Sequence, residues 1–132
     1  MLEPPAESVQ PASDTMSYTT AKDLAALREF VRSCGVALGL SGSRRDLLAL
    51  AVNELATNTL QYTDGGGTVR VWVDAGQVIC DVLDTGPTRT FGAMPPPDSV
   101  RGRGLAIVER VVDEADIIAS PEGTLVRIRM NL

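Results

Sequence analysis

Two polar residues in one predicted helix are spaced so that they can act together on a ligand. Glu54 and Asn58 are four residues apart, which places them one helical turn apart on the same side. A step of about 100° per residue from Leu47 puts both within the arc of the apolar side chains. A carboxylate in that arc costs on the order of several kcal/mol unless it is paired or borders a wet cavity. The pattern therefore predicts a helix that lines a polar pocket, and the apolar arc consists of Leu47, Leu48, Leu50, Ala51, Val52 and Leu55.

Two glycine-containing segments further along the chain can supply the rest of a binding site. Asp84 ends a predicted strand and is followed by Gly86, which lets the next backbone segment come close to the carboxylate. A turn aspartate at the end of a strand is the alternative for Asp84 taken alone. Gly102-Arg103-Gly104 precedes a predicted helix, where backbone N–H groups and the helix dipole favour an anion such as a phosphate. Arg103 adds positive charge there.

The remaining sequence predicts the elements that position these residues. Thr20 with Asp23, and Ser43 with Asp46, each match a capping box, and they begin helices that run to about residues 37 and 62. Strands are predicted at 14–19, 68–74, 78–83, 116–119 and 124–130, and a third helix is predicted at about 105–112. The economical arrangement is an α+β two-layer sandwich, a mixed, mostly antiparallel sheet with three helices on one face.

Length and composition limit the possible classes of protein. The chain has 132 residues, enough for one domain, which we place at residues 14–132 after a flexible tail or linker at 1–13. The net charge is −5, so we expect no direct nucleic-acid binding. No signal segment or run of about 20 apolar residues occurs, which predicts a cytoplasmic protein that does not insert into a membrane.

The cysteines and the absence of histidine narrow the chemistry. Cys34 and Cys80 fall in apolar contexts and are expected to be buried, reduced thiols. Histidine is absent, which excludes a histidine metal ligand, a Ser-His-Asp triad and a phosphorylated histidine within this sequence.

From about Tyr18 to Leu132 the chain resembles a known superfamily. The order Glu54-x-x-x-Asn58, then Asp84-Thr85-Gly86, then the segment from Gly102 to Val108 is similar to the ATP-binding core of gyrases, chaperones, histidine kinases and mismatch-repair proteins. Within it the chain looks most like the short anti-sigma-factor kinases of bacterial partner switching. The resemblance implies a Bergerat-type ATP-binding fold, ATP with Mg²⁺, a homodimer, and two partners, a sigma factor and an anti-anti-sigma factor of STAS type.

The resemblance also implies a role for each matching residue. Asn58 would hold Mg²⁺ through its amide oxygen, and Glu54 would be the catalytic residue that orients or deprotonates the attacking group. Asp84 would accept a hydrogen bond from the adenine amine, and Thr124 would support that contact through water. Residues 85–101 would form a lid. The other nucleotide-binding positions implied are Gly86, Gly102, Arg103, Gly104 and Leu105.

Two positions depart from the family pattern. Pro87 and Thr88 follow Gly86 where a second glycine is usual, and Tyr62 stands where a basic residue is common. Three hypotheses follow. The first is a serine/threonine kinase of the anti-sigma type that phosphorylates an anti-anti-sigma partner and sequesters a sigma factor. The second is a catalytically weak or inactive ATP-binding interaction module, and the third is the ATPase domain of a larger sensor regulator.

Overall fold

The computed structural model describes residues 13–62, 65–84, 106–120 and 123–132. Three α-helices and one five-stranded sheet occur within these ranges, and the strands have the order β1-β2-β3-β5-β4 with every pairing antiparallel. The predicted α+β class with three helices is confirmed. The elements in chain order are β1 (Asp14–Tyr18), α1 (Leu24–Leu38), α2 (Gly42–Tyr62), β2 (Gly67–Asp74), β3 (Gln77–Asp84), α3 (Ala106–Val111), β4 (Glu114–Ser120) and β5 (Gly123–Asn131).

Local sequence determines where several elements begin and end. Thr20 and Asp23 form the predicted capping box: the Lys22 N–H donates to the Thr20 hydroxyl, and the Thr19 and Thr20 N–H groups donate to the Asp23 carboxylate. Gly39 ends α1 with φ of 96°, a left-handed conformation that glycine adopts without strain.

The second predicted capping box is wrong. α2 begins at Gly42, so Ser43 lies inside the helix, and the Arg45 N–H donates to the carbonyl of Ser41. The Asp46 carboxylate accepts a hydrogen bond from Arg32 of α1 at 3.1 Å. Asp46 therefore links two helices instead of capping one.

The core lies between the helices and one face of the sheet. Alternate residues of β2, β3 and β5 point toward the helices and are almost completely buried, as period-2 alternation requires. They pack against Leu27 and Val31 of α1, Leu48 and Val52 of α2, and Val108 of α3. The sheet side of this core comprises Val69, Val71, Val78, Cys80, Val82, Val126, Ile128 and Met130. Cys34 and Cys80 are buried free thiols, as predicted.

The opposite face of the sheet carries a charged cluster. Arg70, Asp81 and Arg127 are cross-strand neighbours on β2, β3 and β5. The Asp81 carboxylate is 2% exposed and accepts hydrogen bonds from Arg127 at 2.7 and 2.8 Å and from Arg70 at 3.2 Å. Both guanidinium groups also lie about 5 Å from the ring centroid of Trp72, within the range of a cation–π contact. The buried Asp81 carboxylate thus has an arginine partner on each neighbouring strand.

No helix within the described ranges is long and apolar enough to cross a bilayer. The predicted tail at residues 1–13 falls outside these ranges apart from Ser13, so it stays a prediction.

Leu48 and Leu50 on α2 test the orientation of this helix. Leu48 is fully buried, whereas Leu50 is 40% exposed. We expect Leu48→Ala to lower the free energy of unfolding by about 2–5 kcal/mol, because it leaves a cavity in the core. Leu50→Ala should lower it by less than about 1 kcal/mol. Denaturant unfolding of the two variants measures the difference, and equal losses would contradict the orientation.

Candidate functional site

Asn58 is the most buried of the predicted site residues on α2. Its side chain is 7% exposed, and the amide nitrogen finds no hydrogen-bond partner among the described residues. A buried polar group left unsatisfied costs about 1–3 kcal/mol. An amide held in such a position is suited to a ligand that completes its hydrogen bonding, so Asn58 fits the predicted pocket.

Glu54 lies one turn before Asn58, at the margin of the buried face. It is half-buried, whereas the sequence placed it within the apolar arc together with Leu50. The structure corrects that arc, because Leu50 is 40% exposed and marks the outward side of the helix. Glu54 therefore stands between the interior and the solvent. A carboxylate at this border can meet a reacting group that arrives from outside.

The other side of α2 is fixed to α1. Arg28 donates to the Asn53 side chain at 2.8 Å, and the Thr57 hydroxyl donates to the Asn53 carbonyl at 2.7 Å. Asn53 is about 140° around the helix from Asn58. α2 also contacts α3. The bond from Arg28 therefore holds the helix from the side away from Asn58.

Asp84 ends β3 at a point where two glycines come close to it. A Cβ on Gly123 would lie 2.1 Å from the Asp84 carbonyl oxygen, and Gly123 has φ of 148°. On the other side Gly67 is the cross-strand partner of Asp84, and a Cβ there would lie 2.2 Å from the Leu83 carbonyl oxygen. Both positions require glycine. The backbone of Asp84 is thus enclosed between β2 and β5.

Thr124 lies next to Asp84 across the sheet. Leu83 pairs with Leu125, and one step further along each strand come Asp84 and Thr124. Thr124 is half-buried. The structure therefore brings together two residues that the sequence assigns to one contact, although they are 40 positions apart in the chain.

Tyr18 and Thr59 also reach this end of the sheet, and sequence reasoning did not select either. Tyr18 is 1% exposed, and its hydroxyl oxygen lies 2.6 Å from the position that a Cβ of Gly67 would take. Burial raises the pKa of Tyr18 to about 12; the nearby Thr59 side chain opposes the rise, and the charge of Asp84 adds to it. Their positions could have indicated both residues, because Thr59 directly follows Asn58 and Tyr18 ends the strand that pairs with Gly67.

Five predicted nucleotide-binding residues lie outside the described residues, as does the predicted lid at 85–101. α3 begins at Ala106, directly after the last of these residues, Leu105. Their assignment stays a prediction. These residues are Gly86, Gly102, Arg103, Gly104 and Leu105.

Comparison with known proteins gives the class of this site. A family model of the histidine kinase-like ATPase domain matches residues 18–130. The chain therefore belongs to the histidine kinase-like ATPase domain family, and membership supports ATP binding by this chain. Among curated proteins no match was found.

Solved structures agree on the fold. The crystal structure of the RsbU and RsbW domains of Rv1364c from Mycobacterium tuberculosis is 21% identical, with a TM-score of 0.71 over 92% of this chain and 32% of that one. The blue-light activated histidine kinase EL346 of Erythrobacter litoralis is 23% identical, with a TM-score of 0.53 over 83% of this chain and 42% of that one. Its histidine kinase domain is also 23% identical, with a TM-score of 0.52 over 89% and 65%. This chain thus spans about a third of the first of these proteins.

Gly123→Ala tests whether Asp84 is enclosed as described. The added methyl group would strike the Asp84 backbone oxygen, so β3 and β5 would have to separate at their ends. Gly76→Ala is the control, because Gly76 has φ of 78° but nothing within 4 Å of the position that a Cβ would take. We expect Gly123→Ala to cost about 1–3 kcal/mol more unfolding free energy than Gly76→Ala. Equal losses in chemical denaturation would show that backbone strain alone is involved.

Proposed function

We propose that this chain is an ATP-dependent serine/threonine protein kinase of the anti-sigma type. It would phosphorylate an anti-anti-sigma partner with a STAS-type fold, and it would alternately sequester a sigma factor. The observation that carries the proposal is the buried Asn58 amide one turn after a half-exposed Glu54, within a domain of the histidine kinase-like ATPase family. The likeness in fold to a protein that contains an RsbW domain supports the anti-sigma type.

Each residue has a role that its surroundings support. Asn58 would hold Mg²⁺ through its amide oxygen, and Asp84 would accept a hydrogen bond from the adenine amine with Thr124 beside it. Glu54 would take the proton of the acceptor hydroxyl, because its position at the margin of the buried face is accessible to a partner protein. Mg²⁺ supplies charge neutralisation at the phosphates. Phosphoryl transfer depends mainly on positioning and charge, which these side chains can provide.

A second candidate is an ATP-binding module that acts only by protein association. The observation in its favour is the sequence Gly86-Pro87-Thr88, which lacks the second glycine of the family pattern. Both candidates require nucleotide binding. They differ in whether the partner protein gains phosphate.

Glu54→Gln separates binding from chemistry. We expect calorimetry to show that affinity for Mg·ATP is retained, while transfer of labelled phosphate to an anti-anti-sigma protein falls on the order of 100-fold or more, since the proton acceptor is lost. Glu29→Gln is the matched control, because Glu29 is exposed on α1 and should change neither quantity. Wild-type protein that binds Mg·ATP but transfers no phosphate would favour the association module. Failure to bind Mg·ATP would contradict both candidates.

The helix-free face of the sheet is the surface that we propose for the homodimer. Charges alternate across its strands, from Arg70 through Asp81 and Arg127 to Asp116, with the cross-strand pair Arg129 and Glu114 beside them. Asp81 is buried beneath its own arginines, but a copy related by a two-fold axis can set the partly exposed guanidinium groups opposite the exposed carboxylates of Asp116 and Glu114, as a self-complementary interface requires. The partly exposed apolar row of Leu83, Leu125 and Ile118 runs next to these charges. A second copy of this chain fits both properties.

Ile118→Asp tests that surface. Ile118 is 49% exposed on β4, and a carboxylate there would place an unpaired charge in the interface. We expect the dimer to dissociate at least about tenfold more readily in sedimentation equilibrium. Val36→Asp is the control, because Val36 is 60% exposed on α1 in the helical layer. A monomeric wild-type protein, or equal effects of the two variants, would contradict the assignment.

A further inference from the structure

Leu50 is a large apolar side chain that α2 leaves in contact with solvent. It is 40% exposed, whereas Leu48, Val52 and Leu55 of the same helix are at most 3% exposed. A step of about 100° per residue places Leu50 about 160° around the helix from Val52. Leu50 therefore lies on the side of α2 that turns away from the core, so burial in the core does not account for a leucine at this position.

Glu54 lies on the same side of the helix as Leu50. The two residues are one helical turn apart, which separates them by about 40° around the helix and places their Cβ atoms about 5–6 Å apart. Glu54 is half-buried. A specific protein interface buries about 800 Å² on each partner. A protein that places a side chain against Glu54 from the solvent therefore covers Leu50 as well.

The polar side chains beside Leu50 on the α1 side already have partners. Arg32 donates to the Asp46 carboxylate at 3.1 Å. Arg28 donates to the Asn53 side chain at 2.8 Å. Asp46 and Asn53 lie about 40° and 60° around the helix from Leu50. A polar side chain of a partner would have to compete with these bonds, whereas an apolar side chain can pack on Leu50 and remove apolar surface from water. The surface thus favours an apolar contact.

The proposed reaction brings a partner protein to this surface. The acceptor oxygen bonds to the γ-phosphorus of ATP, ADP leaves, and the hydroxyl proton passes to Glu54. The acceptor hydroxyl must therefore come within hydrogen-bond distance of Glu54.

We propose that Leu50 is a docking residue for the acceptor protein, and that it packs against an apolar side chain beside the phosphorylated serine or threonine. This inference rests on the proposed function, in which Glu54 receives the acceptor proton. It adds a preference among acceptor proteins, for those with an apolar side chain about 5–6 Å from the acceptor residue, the spacing of Leu50 and Glu54.

Leu50→Asp tests this contact, because it keeps an exposed position and opposes apolar packing. Phosphate transfer to an anti-anti-sigma protein with a STAS-type fold is measured over a range of acceptor concentrations, and Mg·ATP affinity is measured by calorimetry. We expect KM for the acceptor to rise about tenfold with little change in kcat or in Mg·ATP affinity, as the loss of a docking contact requires. Leu50→Met keeps an apolar side chain and should leave KM near the wild-type value.

Val36→Asp is the matched control. Val36 is 60% exposed on α1, and its neighbour Gly35 packs against Arg45, near the start of α2 and away from Glu54. The variant adds the same charge to the helical layer at a distance from the proposed contact. KM for the acceptor should keep its wild-type value.

The outcomes separate this inference from the proposed function. Wild-type protein that transfers no phosphate to the acceptor would contradict the proposed function and the inference together. Wild-type protein that transfers phosphate, with a Leu50→Asp variant that keeps the wild-type KM, would contradict only the docking role. Loss of Mg·ATP affinity in Leu50→Asp, or an equal rise of KM in Val36→Asp, would also contradict it, because these results indicate an effect on the fold or on the overall charge. A rise of KM in Leu50→Asp alone supports the inference.

Discussion

The close approach of β2, β3 and β5 at Asp84 is the constraint on which the site depends. A side chain at Gly67 or Gly123 would enter the backbone of the neighbouring strand, so the sheet can close here only with glycine at both positions. That closure sets Thr124 beside Asp84 and opens the space that Tyr18 fills. This end of the proposed nucleotide site therefore depends on the absence of side chains at Gly67 and Gly123.

The two faces of the sheet are stabilised by different interactions. The face toward the helices excludes water mainly with aliphatic side chains and the thiol of Cys80. The other face buries the Asp81 carboxylate, which is stable only because Arg70 and Arg127 both bond to it. Removal of one partner from such a group typically costs about 3–5 kcal/mol. Both guanidinium groups also stack on Trp72, and in the proposed homodimer this packing would lower the entropic cost of association.

Local patterns predicted much of the fold, and contacts between distant segments account for most of the misses. The capping box at Thr20, the strands at 68–74 and 78–83 and the helix that carries Asn58 depend on neighbours in the chain, and all were predicted. Leu50 was misplaced because an arc drawn from one helix cannot show which edge the sheet covers. Asp46 was misassigned because its partner, Arg32, comes from another helix. The need for glycine at 67 and 123 arises between strands far apart in sequence.

The reactivity of the two buried thiols can report on local and global opening of the fold. Cys80 is fully enclosed in the central strand, and Cys34 is 5% exposed, with its Sγ 3.8 Å from Asp14 of the edge strand. Burial raises the pKa of both thiols, and thiol reagents react with the exposed thiolate. Modification at Cys34 would follow local release of the edge strand, whereas modification at Cys80 requires the central strands to part. The rates of modification at Cys34 and Cys80 in the wild-type protein thus distinguish fraying of the edge strand from global opening, without an introduced cysteine.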